Sequence, residues 1–118
     1  MQGKRIERIN ELIKEELAAA ITQKVRDPRI GFVTVTHVEV TEDLKYAKVF
    51  YSVLGSDEQK QKTAEGLEHS RGFLQKDIAK TLQLRSTPHL LFAMDPSLDE
   101  GMKIDNIIRK IHEEDNVG

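Results

Sequence analysis

The chain has 118 residues, with 18 Lys and Arg against 20 Asp and Glu, for a formal net charge of −2. Leu, Ile, Val and Phe together supply 33 of these residues, above the floor of roughly 20% below which chains stay disordered, so a single folded domain over 1–118 is expected. A domain of this size buries somewhat under about 70% of its unfolded surface, which leaves little room for a large enclosed active site, and the absence of Cys removes disulfides, thiolate nucleophiles and Cys-ligated metals.

From Arg5 to Val25, the residues Ile6, Ile9, Ile13, Leu17, Ile21 and Val25 recur at steps of three and four, while Glu7, Glu11, Glu15 and Glu16 lie off that line. That period predicts an amphipathic helix. Asp27 and Pro28 end it, because proline disfavours helical backbone in the residue before it, and Arg29, Ile30 and Gly31 complete a turn. Phe32 to Val40 is rich in β-branched residues and reads as a strand. Val33 and Val35 share one parity and Val38 and Val40 the other, so a bulge near Thr36 and His37 is predicted to keep all four facing the core. Thr41 to Leu44 reverse the chain into a second strand, Lys45 to Leu54. It alternates cleanly, with Ala47, Val49, Tyr51 and Val53 on one face and Tyr46, Lys48, Phe50 and Ser52 on the other.

Ser56 and Gln59 have capping-box spacing, the serine hydroxyl serving a free amide and the glutamine reaching back, so a helix starts after Gly55. It is weakly apolar through Leu67, then meets Ser70, Arg71 and Gly72 before the better periodic run of Phe73, Leu74, Ile78 and Leu82. Glycine inside a helix costs about 1 kcal/mol relative to alanine, so Gly72 is expected at a kink between two helices. Arg85 to Pro88 reads as a loop and His89 to Met94 as a third strand, bounded by Asp95 and Pro96. Ser97 and Glu100 repeat the capping spacing ahead of a last helix along Leu98, Ile104, Ile107, Ile108 and Ile111. The expected class is α+β, with a core over about 5–111 and a flexible tail over 112–118.

Sites of chemistry are sparse. His37, His69, His89 and His112 never fall into metal-ligand spacing. The glycines form neither common phosphate loop, and no serine sits in a nucleophile elbow. No metal and no cofactor are expected. No segment approaches the roughly 20 apolar residues that cross a bilayer, and the opening residues run into a charge-rich amphipathic stretch rather than an apolar signal core; no membrane association and a cytoplasmic location are expected. Charge is segregated, however. Between His69 and His89, Arg71, Lys76, Lys80 and Arg85 face Asp77 alone, and Lys24, Arg26 and Arg29 surround Asp27. Beyond Asp95 the balance reverses, with Lys103, Arg109 and Lys110 against Asp95, Asp99, Glu100, Asp105, Glu113, Glu114 and Asp115. One face suited to phosphates and one that repels them would orient the molecule on RNA. The plainer reading is that these cations solvate ordinary helix faces. Tyr46, Lys48 and Phe50 on the outer parity of the hairpin would suit base stacking, or else form plain or covered surface.

Asp27, Pro28, Arg29, Ile30, Gly31, Phe32, Val33, Thr34 and Val35, then Val38, Glu39 and Val40, then Asp43, Leu44, Tyr46, Ala47, Lys48 and Val49, form one block of a known pattern. Gly72, Phe73 and Leu74, then Leu84, Arg85, Thr87, Pro88 and Leu90, then Asp95, Ser97, Gly101 and Ile104, form a second. Together they resemble bacterial ribosome-binding factor A over roughly Arg5 to Ile111. The resemblance implies a KH-like fold of type II topology, α-β-β-α-kink-α-β with an additional C-terminal helix, in which helices cover one face of a three-stranded mixed sheet. KH domains ordinarily clamp nucleic acid with a GxxG loop, and no such spacing occurs here. The family's kink of Ala, any residue, Gly stands here as Ser70, Arg71, Gly72. Members of the family are not enzymes. They bind the free 30S ribosomal subunit and its 16S rRNA, assist late maturation and 5′-end processing of that RNA, and matter most in the cold. A monomer with no small-molecule substrate is expected. The expected RNA-binding rim is Arg71, Lys76, Lys80 and Arg85 with Arg26 and Arg29, extended by Arg5, Arg8, Lys45 and Lys48; such phosphate contacts fix position and carry little sequence information. The alternative is a protein-binding α+β module acting through the hairpin edge without touching RNA.

Overall fold

A computed structural model describes residues 2–95 of the chain. Its elements in order are α1 (Gln2–Gln23), β1 (Phe32–Val40), β2 (Tyr46–Leu54), α2 (Asp57–His69), α3 (Arg71–Leu82) and β3 (His89–Met94). The last helix expected through Leu98 and Ile111, and the tail over 112–118, lie outside the described residues. α1 begins three residues ahead of Arg5 and stops two short of Val25. Its end is set locally: the amides of Lys24 and Val25 both bond to Ala20 O, at 2.8 and 2.9 Å, and Pro28 forbids a further turn.

The three strands lie in the order β1-β2-β3. β1 and β2 are antiparallel and β2 and β3 parallel, which makes the sheet mixed. The register slips between Val35 and His37, as the change of valine parity requires, and Val35, Val38 and Val40 all end buried. Thr36, the extra residue, turns its hydroxyl toward Phe50 O at 3.3 Å and also donates to Asp95, tying the bulge to the end of β3. At the reversal, Asp43 accepts from the Thr41 hydroxyl at 2.7 Å and the Lys45 amide at 3.0 Å.

Ile13, Leu17, Ala20 and Ile21 from α1, Leu67 from α2, and Leu74 and Ile78 from α3 bury against Val38, Ala47, Val49, Tyr51 and Leu90 of the sheet. All of these strand residues share one face, and the described helices cover that face alone. Among the described residues nothing covers the other, where Tyr46 and Leu91 are exposed and Lys48 Nζ lies 5.0 Å from the Phe50 ring centroid. Fully burying a leucine or isoleucine is worth about 1.5–3 kcal/mol, so this one-sided core dictates where each helix lies.

The capping box forms as read: Gln59 N–H donates to Ser56 Oγ at 3.2 Å and Ser56 N–H to Gln59 Oε1 at 2.7 Å. The break between helices falls at the first residue of the expected Ser70, Arg71, Gly72 kink. Ser70, at φ −89° and ψ 0°, is the shared end of α2 and α3, and its amide divides between Gly66 O at 3.0 Å and Leu67 O at 3.1 Å. Gly72, expected at the kink itself, is already helical, in the first turn of α3. The glycine that packing requires is Gly66: a Cβ there would meet Ile30 Cγ1 at 2.6 Å. Its absence lets α2 lie against the turn at Arg29 to Gly31, where Thr63 Oγ1 accepts from Gly31 N–H at 3.2 Å and donates to Arg29 O at 3.4 Å.

Candidate nucleic-acid interface

α3 faces two ways. Leu74 and Ile78 point into the core. Gly72, Phe73, Lys76 and Lys80 are exposed, and steps of three and four residues place them on one stripe. The flank between these faces meets α1, where Lys24 Nζ lies 2.7 Å from Asp77 Oδ1 and 3.3 Å from Glu16 Oε2. Hydrogen bonding with Asp77, then burial, raises the Glu16 carboxyl above its ordinary value. Burial raises Asp77 as well, but Glu16 and Lys24 together outweigh it and hold that carboxyl below its ordinary value. The cluster clamps α1 to α3 and absorbs the charge of Lys24.

Next to the stripe, the turn after α1 is stiffened by its own side chains. Asp27 accepts the Arg29 amide at 2.9 Å, Arg29 Nε at 3.0 Å and Nη2 at 2.7 Å. The Arg29 side chain and then its amide hold the Asp27 carboxyl down at about 2. A side-chain carboxylate closing on the amide two residues on is the usual way Asp fixes a turn, and it leaves Arg29 Nη1 uncommitted to Asp27. Between this turn and the helix break lies an open hollow of about 500 Å³, walled by Val25, Pro28 and Phe73 and rimmed by Arg26, Arg29 and His69. A larger cleft of about 850 Å³, at the far end of the hairpin beside Phe32 and Leu54, has Asp27 and Lys60 for its charged lining and no basic excess.

The expected cations therefore divide. Arg26, Lys76, Lys80 and Arg85 are exposed and form no ion pair among the described residues. Arg26 rims the hollow, and Lys76 and Lys80 run along the stripe beside it. Arg29 belongs with them, its charge matched by Asp27. Arg71 does not: it turns to the other flank of α3, pairs with Glu68 and approaches His89 Nε2 at 3.3 Å. Lys48 lies on the open sheet face, and Lys45 precedes it at the start of β2, its carbonyl accepting from His89 N–H. Arg5 and Arg8 sit in the first two turns of α1, remote from the hollow at its other end; at 1.5 Å per residue the separation is about 25 Å or more. Arg71, Arg5, Arg8, Lys45 and Lys48 thus leave the expected rim, because strand parity and helix rotation direct them to other surfaces.

Phe73 is the residue that sequence reading passed over. It counts as apolar in the period of α3, yet the residue is 50% exposed. The signal was present: Phe73 precedes Lys76 by three and Lys80 by seven, whereas Leu74 and Ile78 fall on the opposite side of the helix. Among the described residues, no three His, Asp or Glu side chains gather as a metal site would need, and no helix is long and apolar enough to cross a membrane. What this surface offers is charge for phosphates and one ring for stacking.

Residues 5–108 match the family model described as ribosome-binding factor A. Curated relatives of that name include one from Halothermothrix orenii, 43% identical over 98% of this chain and 94% of its own. Another, from Desulforamulus reducens, is 46% identical over 94% and 92%. Among solved structures, the crystal structure of ribosome-binding factor A from Thermus thermophilus aligns with a TM-score of 0.67 at 22% identity, covering 75% of this chain and 94% of that one. A solution structure of a Thermotoga maritima protein aligns with a TM-score of 0.62 at 35% identity, covering 84% and 91%. A homology model of the Thermus thermophilus factor, fitted into the cryo-EM map of its 30S complex, aligns with a TM-score of 0.63 at 24% identity, covering 75% and 93%.

Proposed function

The chain belongs to the ribosome-binding factor A family, and from that premise we propose that it docks on the 16S rRNA of the free 30S subunit through the exposed stripe of α3. The observation that carries this reading is that Lys76 and Lys80 share one exposed stripe of α3 with Phe73, which walls the hollow that Arg26 rims, and that none of these three cations forms an ion pair among the described residues. Unpaired surface cations stabilise a fold little, whereas at an RNA surface each releases counterions. The Thermus thermophilus relative has been placed in a 30S complex, which supports the choice of partner.

Bound there as a monomer in the cytoplasm, the factor holds one arrangement of the RNA in preference to others. It shifts the equilibrium only by the difference in its affinity for the two. Late maturation and processing of the 5′ end of 16S rRNA then proceed from the favoured arrangement. The contribution is largest in the cold, where mispaired RNA escapes more slowly. The protein needs no catalytic group for this role.

Titration of binding to immature small subunits against salt tests the reading. With Arg26, Lys76, Lys80 and Arg85 each neutralising one phosphate, log affinity falls with log salt at a slope of about −3. A flat response rejects docking through phosphates.

A further inference from the structure

Phe73 is hard to explain as part of the fold. Its neighbour Leu74 is wholly buried, while Phe73 leaves half of its surface in water beside Arg26 and Arg29. Among the described residues, Phe73 is not part of the core or of the side chains packed against it. A planar apolar wall rimmed by cations is the arrangement that takes an unpaired nucleotide, because every base has a face that stacks and every nucleotide carries a phosphate.

Resting on the reading above, we propose that the hollow between the Asp27 turn and the helix break seats one unpaired nucleotide of the RNA, its base against the Phe73 ring and its phosphate at Arg26. The volume, about 500 Å³, falls within the roughly 300–1,000 Å³ typical of small-ligand clefts. Pro28 and Val25 supply the apolar remainder of the wall. The Asp27 carboxylate, which would otherwise repel a phosphate, is engaged on both oxygens by Arg29. Gly72 precedes the ring, and among the described residues nothing lies within 4 Å of where its Cβ would be. The helix surface beside the ring is therefore bare enough for a sugar-phosphate chain to pass. A base inside a duplex cannot reach such a hollow, so the site selects a bulged or looped nucleotide, and stacking that tolerates any base makes the selection one of shape.

Two RNA hairpins of equal charge provide the test, one fully paired and one carrying a single bulged 2-aminopurine. The wild-type protein is expected to bind the bulged hairpin about 5- to 150-fold more tightly, the range for one stacked base, and to quench its fluorescence. Phe73→Leu keeps apolar bulk without a ring; it should bind both hairpins alike, at the affinity of the paired one and with an unchanged melting curve. Phe73→Tyr should restore both the preference and the quenching. A preference that survives in Phe73→Leu, or its absence from a wild-type protein that binds both hairpins with the expected salt slope, overturns the nucleotide site and leaves phosphate docking standing. Binding to neither hairpin, at low salt and high protein concentration, overturns both.

Discussion

α2 and α3, of 13 and 12 residues, meet at Ser70, and each carries one glycine. In α2, Gly66 is buried and a side chain there would strike Ile30. In α3, Gly72 faces open space. The first glycine is explained by the protein alone, since α2 must approach the turn at Arg29 to Gly31. The second is not explained by any contact among the described residues, and it shares its stripe with Phe73, which is half exposed, and with Lys76 and Lys80, which form no ion pair there. α2 serves to hold the structure together; α3 presents the exposed stripe proposed above to meet RNA.

Charge reversal should break this division most visibly. Lys76→Glu with Lys80→Glu is expected to weaken binding to immature small subunits by at least about 100-fold, since each charged hydrogen bond is worth about 1.5–3 kcal/mol, with little change in melting temperature. Lys62→Glu on α2, where Lys62 pairs with Glu58 at 3.3 Å, should leave binding nearly intact. Equal losses from the two helices would refute the comparison. The glycines provide a second, smaller contrast. Gly66→Ala forces a shift of Ile30; overpacking of this kind costs about 1–3 kcal/mol, less the gain of about 1 kcal/mol for alanine in a helix. Melting should fall by up to roughly 15 °C, and Ile30→Ala in the same chain should recover part of the loss. Gly72→Ala should raise the melting temperature by a few degrees while lowering affinity for the subunit. If affinity holds, the RNA does not pass at Gly72.

How far the sequence revealed this depends on how local each cause is. The bulge at Thr36 was legible because four valines must face one core and their parity changes within the strand. The capping box was legible because Ser56 and Gln59 lie in one turn. The helix break was legible in the run Ser70, Arg71, Gly72, although propensity puts the weight on Gly72, which is helical, while the break itself is at Ser70; the close approach of Gly66 to Ile30, between segments 36 residues apart, appears only once α2 is packed on the turn. Among the cations, the pairing of Arg71 with Glu68 three residues before it is a spacing that sequence can show. The pairing of Lys24 with Asp77, 53 residues away, appears only when α1 and α3 are packed. Counting cations shows where the chain is locally basic; which of them share a surface is decided by packing.

The smallest effect sharpens the contrast at the turn on which α2 rests. Asp27 is held at about 2, against an ordinary 3.8, because Arg29 hydrogen-bonds its ionised form. A carboxyl whose value is lowered on folding stabilises the fold above the unfolded value, and that contribution is lost as pH falls through the folded one. The melting temperature of Asp27→Asn should therefore sit slightly below that of the wild type by a constant amount at pH 5 and above. The gap should narrow between about pH 4 and pH 2; a gap that persists at pH 2 would assign the loss to backbone geometry rather than to the ion pair. The same variant frees Arg29 at the rim of the hollow, so its affinity for RNA should hold or rise and its salt slope steepen by up to about one contact. Stability and affinity then move in opposite directions in a single substitution, as they must if the turn supports α2 with an ion pair and serves the α3 surface with the cation that the pair restrains.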